Sequence, residues 1–179
     1  MGINQADAAA RALRMLDHPD MRIPGRRPSD GIRTTGSTPA APLDISLVDY
    51  LSTQVDEMIE HTRAAVDTTT PVPARPHQVY DWALKNTEGA SHAVQVERDI
   101  LIERQGLEHA IRLGDINVVR RHPCPACGSW SLMWDTSSTK ARCTDRGCKD
   151  DRGLASTWTL GRLAAQKIRG TEIWRRNAT

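Results

Sequence analysis

The chain has 179 residues, 39% of them apolar and 26% charged, with two Tyr and no Phe. That suits one domain or two small ones and is not a disordered composition. No uncharged apolar run approaches the roughly 20 residues that span a bilayer, and the stretch Met1–Leu16 carries an acid and no apolar signal core. Ala6 stands where myristoylation favours Ser or Thr, so the expectation is a soluble, cytoplasmic protein. The net charge of +2 conceals two blocks, since residues 1–117 carry 12 basic and 17 acidic side chains and residues 118–179 carry 12 and 5. Arg outnumbers Lys 20 to 4. A GC-rich coding bias explains that excess but not its division between the two blocks.

In chain order, residues 1–43 read as a short helix over 4–17, with Asn4 as its cap, followed by a Pro- and Gly-rich tether. Residues 44–117 read as a helical bundle. Its first helix is capped by Asp44 or Ser46 and runs to about Val66, with Val48, Leu51, Val55, Met58, Ile59 and Thr62 on one stripe. A short helix over 77–85 presents Val79, Trp82 and Ala83. After Gly89 a long helix runs from Ser91 to Leu113, with Val96, Ile100, Leu107, Ala110 and Ile111 inward and Gly114 as its left-handed stop. None of these helices is apolar all round, so they must bury their stripes on one another or on a partner.

Beyond Asp115 the pattern changes. Ile116, Val118 and Val119 are β-branched. Trp130, Leu132 and Trp134 alternate with polar or smaller neighbours, and a turn at Thr136–Thr139 leads to Lys140–Cys143, which is a hairpin pattern. Ser156 or Thr157 is expected to cap a last helix, with Leu160, Leu163, Ala164 and Ile168 on one side and Gly170 at its end. The segment 157–176 also has a partial helix-turn-helix pattern, with Thr171–Arg176 as a short turn, but Gly170 sits too late for it and a helix packed against the hairpin module or the long helix is the expected reading. The expected division is therefore 1–43, 44–117, 118–152 and 153–179. The expected fold is mainly α: a small bundle, a β-hairpin module and a final helix.

The chemistry concentrates in the cysteines. All four, Cys124, Cys127, Cys143 and Cys148, form C-x2-C-x15-C-x4-C across the expected hairpin. Tetrahedral Zn(II) takes four thiolates from two such chelating turns. Pro125 stiffens the first turn. Gly128, and Gly147 before Cys148, are expected to let backbone N–H groups face the sulfurs. A redox C-x-x-C needs no second pair. An iron–sulfur cluster also takes four Cys and is the alternative, though the WhiB-like regulators that hold one space their Cys differently. Four thiolates leave no open position for catalysis, and no His-x-Glu accompanies them as in the zinc deaminases. His122 is a spare nitrogen beside Cys124, expected to hydrogen-bond rather than ligate.

The run Cys124-Pro125-Ala126-Cys127-Gly128 resembles the C-P-x-C-G knuckle of the zinc-ribbon family over about residues 120–150. The second pair departs from it, with four residues between the cysteines where the family usually has two. More loosely, the chain is similar to small Ala- and Arg-rich zinc-ribbon proteins of actinobacterial phages. The resemblance implies one structural zinc ion and a module that binds nucleic acid or docks on nucleic-acid machinery.

The basic residues around the knuckles, Arg120, Arg121, Lys140, Arg142, Arg146, Lys149 and Arg152, are the candidate phosphate contacts. Trp130 and Trp134 are placed on one hairpin face, as a stacking surface or as core. In the helical half Glu57/His61 and Glu108/His109 are expected to lie on solvated faces, and no phosphate loop or nucleophile motif is present. The expected function is a non-enzymatic nucleic-acid-binding accessory or regulatory protein, with the acidic helices binding a protein or a second copy. The alternative is a structural or adaptor subunit of a larger assembly, such as a phage particle or a transcription complex. Neither a membrane nor a small-molecule substrate is expected as a partner.

Overall fold

The computed structural model describes residues 45–177. The expected short helix and tether over 1–43, and the Asp44 cap, lie outside the described residues. So do the side chains of Ser46, Val48, Trp174, Arg175 and Arg176. The described chain is helix-rich. Helix α1 spans Ile45–Ala65, α2 Pro76–Thr87 and α3 His92–Arg112; a 3-10 helix follows at Ile116–Arg121. Strands β1 (Leu132–Asp135), β2 (Lys140–Cys143) and β3 (Thr157–Trp158) precede α4, Leu160–Asn177. No helix among the described residues is long and apolar enough to cross a membrane.

The helical half forms for the reasons its sequence suggests. Pro76 begins α2, where its missing N–H is no loss. Ser91 caps α3 by accepting from Val94 N. Gly114 adopts φ +91°, and the N–H groups of Leu113, Gly114 and Asp115 turn back onto the last carbonyls of α3. Helices α1, α2 and α3 enclose one core of Met58, Val79, Tyr80, Trp82, Ala83 and Ile102.

A second core lies at the C-terminal end of α3. There Leu107 packs with Val118, Val119, Leu132, Ala141, Leu160, Leu163 and three of the four cysteines. Helix α3 thus serves both cores. The hairpin pairs Leu132 with Cys143 and Trp134 with Ala141, closed by the expected Thr136–Thr139 turn. Asp135 holds that turn by accepting from Ser137 N, Ser137 Oγ and Ser138 Oγ.

Three local expectations need correction. Ile116–Arg121 is a 3-10 helix and not extended. Val118 and its neighbour Val119 are both buried, and a strand's alternation would send one of them outward. Ser156 and Thr157 do not cap α4. Thr157–Trp158 pairs with Ala141–Arg142 as a third strand, and Thr159 takes the cap position, accepting from Arg162 N. Gly170 does not end α4, which continues to Asn177, so Thr171–Arg176 is helix and no helix-turn-helix forms. A lone Gly costs a helix only about 1 kcal/mol, so Gly170 by itself does not stop it.

Candidate metal centre

Two tight turns and one strand end bring the cysteines together. In the first turn Gly128 N donates to the Cys124 carbonyl at 2.9 Å, and Cys124 N donates to the Ser129 carbonyl at 2.8 Å. Gly128 sits at φ +72°, a conformation that side chains other than glycine's rarely adopt. Cys143 ends β2. The longer second pair is closed by Asp145, which accepts Gly147 N on its side chain and Cys148 N on its carbonyl. The expected role of Gly147 is therefore corrected: it shows no positive φ among the described residues, and an Asp turn replaces the glycine turn.

One sulfur from each of the four cysteines falls within 4.8 Å of every other. Cys124 and Cys148 are 3.7 Å apart, Cys127 and Cys143 3.8 Å. Four sulfurs at about 2.3 Å from one tetrahedral ion are about 3.8 Å from each other, so the side chains fit a single ion. A disulfide needs about 2.05 Å, and all four cysteines are free. Cys124, Cys143 and Cys148 are buried and Cys127 is exposed.

Serine hydroxyls surround the sulfurs, a feature the sequence reading did not single out. Ser129 Oγ lies 3.0 Å from Cys127 Sγ, Ser131 Oγ 3.2 Å from Cys143 Sγ, and Ser156 Oγ 3.4 Å from Cys148 Sγ. The side chain and backbone of Ser129 hold the Cys127 thiol down at about 6. Ser156 also favours the Cys148 thiolate, but desolvation and the three neighbouring thiols outweigh it and push Cys148 up to about 12. Four thiols at this separation resist shedding all their protons unless a cation replaces them. The signal for these hydroxyls was present in Ser129-Trp130-Ser131, directly after the first knuckle, but only the fold adds Ser156.

His122 is buried, its Nε2 4.0 Å from Glu103, which also pairs with Lys167 at 2.7 Å. The group of potential ligands around the four sulfurs does not include it. The seven basic residues named from sequence are all exposed. Arg121 pairs with Asp115 at 3.1 Å and Arg152 with Asp150 at 4.0 Å, while the other five make no ion pair with a described residue.

Trp130 and Trp134 do not share an environment. Trp134 faces the second core beside Ala141 and Trp158, whereas Trp130, one residue short of the sheet, is 68% exposed. The Glu/His pairs of the helical half are only partly solvated. Glu57 and Glu108 both bind Arg104, and His109 is buried with its Nε2 unpartnered. A cavity of about 570 Å³ opens where the helices meet the hairpin, lined by Tyr50, Arg112, Trp134, Thr139 and Leu160 among others. The Arg112 guanidinium stacks 4.0 Å over the Tyr50 ring at its edge.

The chain matches no protein family, and no curated protein or solved structure is similar to it.

Proposed function

We propose that the four cysteines hold one structural zinc ion in a zinc-ribbon-like module. In this reading the closed module is the nucleic-acid-binding part of a non-enzymatic accessory or regulatory protein. The observation that carries it is the charge left unspent around the centre: Arg120, Lys140, Arg142, Arg146 and Lys149 are exposed and make no ion pair with a described residue. Long cations held in solvent on a small rigid scaffold are what a phosphate backbone selects.

Three considerations support zinc in this reading. Four thiolates satisfy a tetrahedral ion completely, which is the mark of a structural site. The tetrathiolate centre carries a net −2, so residues 118–179 remain near +5 from their 12 basic and 5 acidic side chains. Zinc also fits the sulfur spacing better than a multi-iron cluster, whose irons stand between the thiolates and spread them.

Electrophoretic shift of the zinc-loaded chain on mixed-sequence DNA and RNA tests the proposal. With about four or five phosphates contacted, affinity should fall on the order of 10²-fold between about 50 and 200 mM salt. Charge reversal at Arg142 and Arg146 should flatten that dependence. Absence of binding at low salt defeats the proposal. It leaves ahead a protein-docking adaptor, a reading favoured by the exposed Met133 and Leu154 on the same module.

A further inference from the structure

The tryptophans of the module differ in exposure, and that separates two kinds of nucleic acid. Trp134 and Trp158 line the inner face with Ala141 and are committed to the core. The outer face is the row Met133, Arg142, Thr157, of which Met133 is 44% exposed and Arg142 makes no ion pair with a described residue. Trp130 stands just before this sheet, at the cysteine end.

Its position there is fixed on both sides. The Ser129 hydroxyl touches the sulfurs of Cys127 and Cys143 and bonds to Ser131 at 2.6 Å. The Ser131 carbonyl accepts both the N–H and the hydroxyl of Thr144 at 2.9 Å. The backbone of Trp130 is therefore clamped beside the four sulfurs while the residue as a whole is 68% exposed. The Thr144–Cys148 turn beside it carries Arg146, exposed and without an ion pair to a described residue.

A large ring held out on a rigid backbone costs little ordering entropy when a flat partner covers it. The cations around it draw a polyanion. A paired duplex offers its phosphates but hides the faces of its bases, and an unpaired strand offers both.

Resting on the nucleic-acid reading above, we infer that the module binds single-stranded nucleic acid, with an unpaired base stacked on Trp130 and the adjoining phosphates held by Arg142 and Arg146. Trp130 is the specificity-determining residue for strandedness; the arginines bind either form.

The zinc-loaded full chain is titrated with an oligothymidylate of about 16 nucleotides and with a duplex of equal length. The wild type should prefer the single strand, and its tryptophan fluorescence should be quenched on binding. Trp130→Ala should lose about 5- to 150-fold in single-strand affinity, the worth of one stacked base. Its duplex affinity, the steepness of its salt dependence and its zinc content should stay unchanged, and Trp130→Tyr should restore most of the loss. Equal single-strand affinity in Trp130→Ala, or equal wild-type affinity for both probes, overturns the inference and leaves nucleic-acid binding standing. Failure of the wild type to bind either probe removes both.

Discussion

At the scale of single residues, the centre is asymmetric. Cys127 is the exposed member and is favoured as a thiolate by Ser129. Cys148 is buried and resists ionisation despite Ser156. A metal ion must draw the proton from Cys148, so the hydroxyls that steady the charged sulfurs should count in affinity. Ser131→Ala and Ser156→Ala are each expected to weaken zinc binding by about 10- to 100-fold, the usual worth of groups behind the ligands. Competition against a chromophoric chelator reads this directly, and unchanged affinity in both variants would show the hydroxyls to be bystanders. The cysteine spacing was legible in the sequence because chelating turns are local. The hydroxyl contacts were not, since Ser156 reaches Cys148 only after the chain has turned back at Asp150 through its bonds to Arg152 N and Leu154 N.

At the scale of elements, α3 is the member on which both cores depend. Ile102 belongs to the core shared with α1 and α2, and Leu107 to the core shared with the cysteines. Truncating either to Ala should cost about 2–5 kcal/mol. Only Leu107→Ala should also lower zinc affinity, because it loosens the packing behind Cys124, Cys143 and Cys148. Urea unfolding with chelator competition separates the two, and an equal fall in zinc affinity for Ile102→Ala would contradict the division.

The apolar stripe of α4 was readable at helical spacing, and so were the existence of α1, α2 and α3. The buried polar positions were not. Tyr80 donates to Gln105 Oε1 at 2.6 Å, Gln105 Nε2 donates to the Gln54 carbonyl at 3.0 Å, and Arg98 donates to the Thr87 hydroxyl at 2.8 Å. Amides and guanidinium groups interrupt the apolar period, so only their partners across the bundle explain them.

At the scale of the molecule, the cysteine module is not an appendage. Its strands pack under α4 and against the C-terminal half of α3. Zinc binding at such sites is worth on the order of 10–16 kcal/mol, and a module of about 30 residues lacks the buried area to stand without it. The sequence alone suggests that loss of the ion unfolds 120–150 and leaves every helix in place. The shared core extends that expectation to Leu160 and Leu163 of α4. Hydrogen exchange with and without chelator should show protection lost over the strands and the first turns of α4. Protection should be retained in α2 and the facing half of α1, whose core of Met58, Val79, Tyr80 and Trp82 contains no module residue. Uniform loss along the whole chain would mean that the two cores fold as one unit.

By itself the sequence determined the helices, the hairpin and the four cysteines as one cluster, because each depends on spacing within about 25 residues of chain. It also determined the two charge blocks, which need only counting. Tertiary structure alone decided the rest. It turned Trp134 inward and left Trp130 in solvent, drew Thr157–Trp158 into the sheet, and gathered Glu57 and Glu108 around Arg104. Each of those outcomes depends on which distant surface arrives to cover a group, and burial is a property of the assembled surfaces rather than of any local pattern.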